Sequence, residues 1–239
     1  PNPLLKLRLF KRKTFALGVI LAGLAQIAVL AGPLQASLFM QNECGNMALA
    51  VGFVLLPGAL ANAFANTPAG SFYDRFGMVP CMSVGLSLLA IGSGMFVAFD
   101  SSVSVVWVAI AHAIRMIGLA FLVMPTTAYC MTGLDDSETK HATAIINAVR
   151  QVVGSLGSNL LIALMAVVTV RWAPGDVAAA EGLSLLGFHV SFGLQAAIFA
   201  VLIVVVVATI GGRRTGRLRT KAWASREPAR KWGLSHFRP

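Results

Sequence analysis

Six stretches of this chain are near-continuous runs of Leu, Val, Ala, Ile and Phe, each long enough to cross a bilayer. A transmembrane helix needs about 20 such residues. The runs lie at about 15–40, 47–68, 79–98, 104–131, 141–170 and 187–211. None alternates apolar with polar residues, so a membrane β-barrel is not expected. In hydrocarbon the backbone then has only the helix with which to satisfy its own hydrogen bonds. Charged residues make up 12% of the chain, about half the share of a soluble domain. The expected fold class is an all-α membrane protein, a bundle of six transmembrane helices.

The segments between the runs are polar or turn-rich: 41–46, 70–78, 100–102, 133–140 and 171–187. The first run is too long for the apolar core of a signal peptide, and no convincing cleavage site follows it. The chain opens with Pro1 rather than Met, so it is read as processed, trimmed or a fragment.

Basic residues set the expected orientation, because they are held back on the cytoplasmic side. Lys6, Arg8, Lys11, Arg12 and Lys13 precede the first run. Arg213, Arg214, Arg217, Arg219, Lys221, Arg226, Arg230, Lys231 and Arg238 follow the last. Six spans place both ends on one side, where loop residues Arg75 and Lys140 also fall. Only Arg171 lies opposite, so sixteen basic residues stand against one. Both termini are therefore expected in the cytoplasm of a multi-pass cell-membrane protein. Residues 1–13 read as a basic lead-in, 14–211 as the bundle, and 212–239 as a basic, flexible tail. The net charge of +10 is mostly this topology signal, and the tail fits anionic lipid better than nucleic acid.

Several function classes lack support. Cys44, Cys81 and Cys130 have neither metal-ligand spacing nor obvious pairing, and they read as packing residues. No phosphate-binding loop, HExxH motif or nucleophile–histidine order occurs, so neither an enzyme nor a metal or other cofactor is expected.

The polar residues left within the spans carry the functional signal. All nine acidic residues fall in loops, span ends or the tail, whereas Arg115 and Arg150 lie well inside spans. An arginine at mid-membrane costs about 2.5–3.5 kcal/mol on insertion scales, and no carboxylate of this chain is placed to offset it. Their partners are expected in another chain segment, or in water and substrate. In the fifth span Asn147, Arg150, Gln151, Gly154, Ser155 and Ser158 recur every three or four residues, which makes one helical stripe. Gly154, Gly157 and Ser158 read as a close helix–helix seam. Asn147, Arg150 and Gln151, with Arg115, His112 and Gln26 on other spans, are candidates for a substrate or proton pathway. His112 and Arg115 share a face of the fourth span, and Gln26 adds a polar position to the first. Asn62, Asn66 and Gly58 form a weaker pattern of the same kind in the second.

The segment Gly70-Ser71-Phe72-Tyr73-Asp74-Arg75-Phe76-Gly77-Met78 resembles the G-x-x-x-D-R-x-G-R/K signature of the major facilitator superfamily, except at Met78, where a basic residue is usual. In that family it is a cytoplasmic loop between the second and third helices of each half. Gly70, Asp74, Arg75 and Gly77 would then form a gating turn. The run from Pro3 to Phe15, the segment Ile114-Arg115-Met116-Ile117-Gly118 and the run from Asn147 to Gly157 are similar to the second half of the fourteen-helix drug:proton antiporters. The resemblance covers residues 1–211.

It implies that these six helices are the C-terminal half of a transporter, one half of the major facilitator fold. The missing partner would be an N-terminal half of six or eight helices. The implied activity is proton-coupled export of hydrophobic or cationic drugs or metabolites by alternating access, with the coupling carboxylates mainly in that other half. A different class of function remains open: a complete six-helix protein working as a homo-oligomeric transporter, channel or scaffold.

Overall fold

The computed structural model describes residues 13–42, 44, 48–131, 136–172 and 184–208. The basic tail and all of the lead-in except Lys13 lie outside the described residues. Six helices follow in order: α1 Lys13–Asn42, α2 Ala48–Phe76, α3 Met78–Val97, α4 Val105–Cys130, α5 Asp136–Trp172 and α6 Leu185–Val206. Among the described residues there is no strand. Helices α1, α3, α4, α5 and α6 are each long and apolar enough to cross a membrane. The protein is thus a multi-pass helical membrane protein. Helix α2 carries Asn62 and Asn66 along with Pro57 and Pro68, all within one continuous helix.

Helix α4 is the hub, packing on α3, α2 and α1, while α6 closes on α3 and α5, and α5 on α1. The α3–α4 seam is close-packed, because Gly85 and Gly118 face each other. A Cβ on either would stand 2.8 Å from the other's carbonyl oxygen, so any larger residue would force the helices apart. Of four apolar clusters among the described residues, two make up most of the core. One joins Leu21, Met82, Leu86, Leu89, Leu119 and Leu122. The other is aromatic, with Phe39 edge-on to both Phe96 and Phe188, and Phe96 stacked on Phe192 at 4.4 Å. Outward-facing side chains on α5 and α6, such as Val152, Leu156, Leu160, Val201 and Val204, are apolar and exposed, as a lipid-facing surface requires.

The second connection departs from the sequence expectation. Residues 70–76 are not a loop; they are the last two turns of α2. The reason is packing: Gly70 is buried against Met124, and Phe72 meets Phe121 edge-on at 5.7 Å and Phe76 at 4.5 Å. Gly77 alone breaks the helix. Its amide still donates to the Tyr73 carbonyl at 2.8 Å, but its φ of 86° and ψ of −175° lie where only glycine is at ease. The α3–α4 connection is a polar turn in which the Ser102 hydroxyl and amide both donate to Asp100 Oδ1, at 2.7 and 3.0 Å. Those bonds, the hydroxyl's first, hold the Asp100 carboxyl below the usual carboxylate range.

The expected packing role of the cysteines agrees with the structure: Cys81 and Cys130 are buried thiols, and half-buried Cys44 packs against the aromatic layer. Because nothing lies within 4 Å of a Cβ placed on Gly77, Gly77→Ala isolates backbone strain from crowding. The substitution is expected to destabilise the bundle by about 1–3 kcal/mol. Thermal unfolding in detergent measures this, and an unchanged midpoint would contradict the assignment.

Candidate functional site

Two arginines lie inside the bundle, and both are held by glutamine. Arg115, on α4, is only 1% exposed and is the largest fully buried side chain. Its Nη2 donates to Gln195 Oε1 on α6 at 2.9 Å. The guanidinium also lies over the Phe192 and Phe96 rings, 5.2 and 5.9 Å from their centroids. Cation–π attraction of this kind offsets part of the desolvation of a buried cation. Gly32 on α1 leaves room for the head group; a Cβ there would come within 3.3 Å of Nη2.

From Gln195 the hydrogen bonds run on. Gln195 Nε2 donates to Gln35 Oε1 on α1. Gln35 Nε2 in turn donates to Ser191 Oγ on α6 at 2.6 Å, with Met165 Sδ of α5 at 3.5 Å. Gln35, Ser191 and Gln195 are all buried. One polar chain therefore joins α4, α6, α1 and α5 within the buried interior. Nε and Nη1 of Arg115 find no acceptor among the described residues, and neither does Nδ1 of buried His112 one turn away. The His112 ring packs on Gly58 of α2.

The second arginine is simpler. Arg150 on α5 is half-buried and donates through Nε and Nη2 to a single oxygen, Gln26 Oε1 on α1, at 3.2 and 3.0 Å. Gly154 and Gly157 face the same stretch of α1: a Cβ on Gly154 would stand 2.5 Å from Gln26 Cγ, and one on Gly157 would collide with Ile27. Ser158 is buried and bonds its own helix at the Ser155 carbonyl.

The sequence stripe of α5 is thus two surfaces. Arg150, Gly154, Gly157 and Ser158 turn toward the bundle, whereas Asn147, Gln151 and Ser155 are exposed. The stripe is wider than one contact with α1 can cover. Helix α2 is similar: Asn62 Nδ2 bonds the Met116 carbonyl of α4 at 2.7 Å, while exposed Asn66 bonds only its own helix, at the Asn62 carbonyl. Of the signature residues, Gly70 is buried, Asp74 and Arg75 are exposed on the end of α2, and the Arg75 guanidinium lies over the Phe76 ring. Both interior arginines have partners on other helices of this chain, and neither partner is a carboxylate. Those partners are neutral amides, which is why a search for carboxylates passed over them.

Gln35, Ser191 and Gln195 drew no notice in the sequence. The available signal was small but real: Gly32 and Gln35 lie one turn apart on α1, as Ser191 and Gln195 do on α6. Buried amides in apolar spans need partners.

A six-helix bundle with one buried and one half-buried arginine inside it and apolar outer faces defines a polytopic helical membrane protein. Its family is equally plain. The Major Facilitator Superfamily profile matches residues 1–158, and the chain belongs to that family. It is 28% identical over 206 residues to an uncharacterized MFS-type transporter, YcnB, of Bacillus subtilis, covering 81% of this chain and 44% of that protein. The lincomycin resistance protein LmrB of the same organism is 27% identical over 88% of this chain and 44% of its own length. The multidrug resistance protein Stp of Mycobacterium tuberculosis is 26% identical over 72% of this chain and 31% of its own. The chain spans less than half the length of these relatives.

The α1–α5 seam is directly testable. Gly154→Val should drive the two helices apart, break the Gln26–Arg150 pair and cost about 1–3 kcal/mol by overpacking. Val152→Leu, on the exposed face of the same helix, should leave the unfolding midpoint unchanged. Equal midpoints for the two variants would contradict the seam.

Proposed function

We propose that this chain is the C-terminal six-helix half of a proton-coupled drug exporter that works by alternating access. The observation that carries this reading is the pairing of interior arginines with neutral amides, beside spans whose interior has no acidic residue in the sequence. Membrane proton relays are built from Asp, Glu or His, and with no carboxylate inside these spans the carboxylate coupling is assigned to a second, N-terminal half. That half would cover the exposed polar strips of α2 and α5, which lipid cannot satisfy. Substrate would bind between the halves near the midplane.

The substrate class, hydrophobic or cationic drugs, is taken from relatives named for lincomycin and multidrug resistance. In this reading both termini face the cytoplasmic side of the cell membrane, which the sixteen-to-one basic asymmetry supports. Residues 1–13 and 212–239 flank the bundle on that side. The end of α2, with Asp74 and Arg75, and Gly77 after it form the cytoplasmic gating turn. Arg150, Gln26, Asn147 and Gln151 lie along the pathway on one flank, and His112 and Arg115 on the other.

In cells producing the assembled transporter, Arg150→Ala should lower drug efflux by at least about tenfold, with the amount of protein in the membrane unchanged. Collapse of the proton gradient should abolish wild-type efflux. Loss of Arg150→Ala from the membrane would make the arginine a brace instead. Proton-driven drug flux by this chain alone, purified into liposomes, would refute the two-half assignment.

A further inference from the structure

We propose that Gln195 and Gln35 are positioning residues for Arg115: the relay from Arg115 through Gln195 and Gln35 to Ser191 holds the guanidinium in one orientation, with Nε and Nη1 turned away from the relay. The geometry allows little else. A guanidinium has only donors, so Gln195 must present its oxygen to Nη2. Its amide nitrogen is then committed to Gln35 Oε1 and, at 3.3 Å, to the Ser191 carbonyl of its own helix. Gln35 in turn must present its nitrogen to Ser191 Oγ. Each side chain's orientation follows from the one before, beginning at the cation, and every group in the chain is buried.

The surroundings reinforce that orientation. Gly32 admits the head group from the α1 side, a Cβ on Gly92 would meet the Arg115 side chain from α3, and the Phe96 and Phe192 rings flank the guanidinium. The relay uses one nitrogen of Arg115. Nε and Nη1 remain, together with His112 Nδ1 on the same face of α4, as a set of fixed polar groups without a described partner. That this set serves transport rests on the function proposed above; the positioning itself does not.

The test therefore has two arms. In protein labelled with nitrogen-15 arginine, a held guanidinium gives a slowly exchanging Nε–H resonance, assigned to Arg115 by its loss in Arg115→Lys. Gln195→Leu should raise its exchange rate at least about tenfold. Gln195→Glu should keep it slow, because a carboxylate oxygen accepts the same bond and Gln35 can turn its amide to match. Ser191→Ala removes only the last acceptor, preserves the packing of α6, and should raise exchange several-fold.

An Nε–H that stays equally protected in Gln195→Leu and Ser191→Ala overturns the proposal. So does a Gln195→Glu variant that exchanges as fast as Gln195→Leu. In drug efflux, Gln195→Leu should lower the maximal rate about tenfold with KM within about threefold, and Gln195→Glu should recover at least half of the wild-type rate. Should the resonances behave as stated while wild-type protein moves no drug, the proposed function fails and the positioning stands.

Discussion

A buried positive charge with no carboxylate beside it is the constraint around which this bundle is arranged. An unpaired ion in a low-dielectric interior costs several kcal/mol even after relaxation. Arg115 meets that cost with an amide oxygen and two aromatic faces. Each of these comes with structural demands. The amide oxygen must come from α6, and its nitrogen must then be satisfied from α1. The rings must stand where α3 and α6 meet, and α1 and α3 must approach closely enough to need glycine at positions 32 and 92. The aromatic layer, the glycine positions and the register of α6 against α1 are thus linked to a single guanidinium.

Arg150 repeats the solution on a smaller scale, with Gln26 as acceptor and Gly154 and Gly157 admitting α1. The difference lies in exposure. Arg115 is sealed, whereas Arg150 sits half-buried at the edge of a polar strip formed by Asn147, Gln151 and Ser155. Such a strip on a membrane helix calls for water or protein rather than lipid. With α2 presenting Asn66 outward as well, two helices of the bundle have faces unlike the valine- and leucine-lined surfaces elsewhere. In the proposed transporter these are the faces that meet the second half and the pathway between the halves.

Much of the fold was legible in the sequence, because a run of some 20 apolar residues permits one backbone solution in lipid. The spans and their order were read to within a few residues in most places. The end of α2 was misread because Gly70, Asp74 and Arg75 look like a turn, while the contacts that keep it helical, from Phe72 and Gly70 to α4, are tertiary. The α5 stripe was recognised but not divided, since periodicity gives a face and not its neighbours. The relay was missed for a different reason. Gln35 and Gln195 are separated by 160 residues, and nothing local in either span announces the other. Arg115 and Arg150 stood out because a charge in a membrane is costly wherever it lies. Their amide partners did not, because an amide is costly only when left unpaired.

The two-half account is tested most directly by native mass spectrometry of the protein released from its own membrane, followed by peptide mapping. The account predicts a species heavier than the 25.1 kDa of this chain that contains membrane-helix peptides from outside this sequence. A species of 25.1 kDa, or an integer multiple of it built from this sequence alone, would contradict the account and leave a self-assembling six-helix protein in its place.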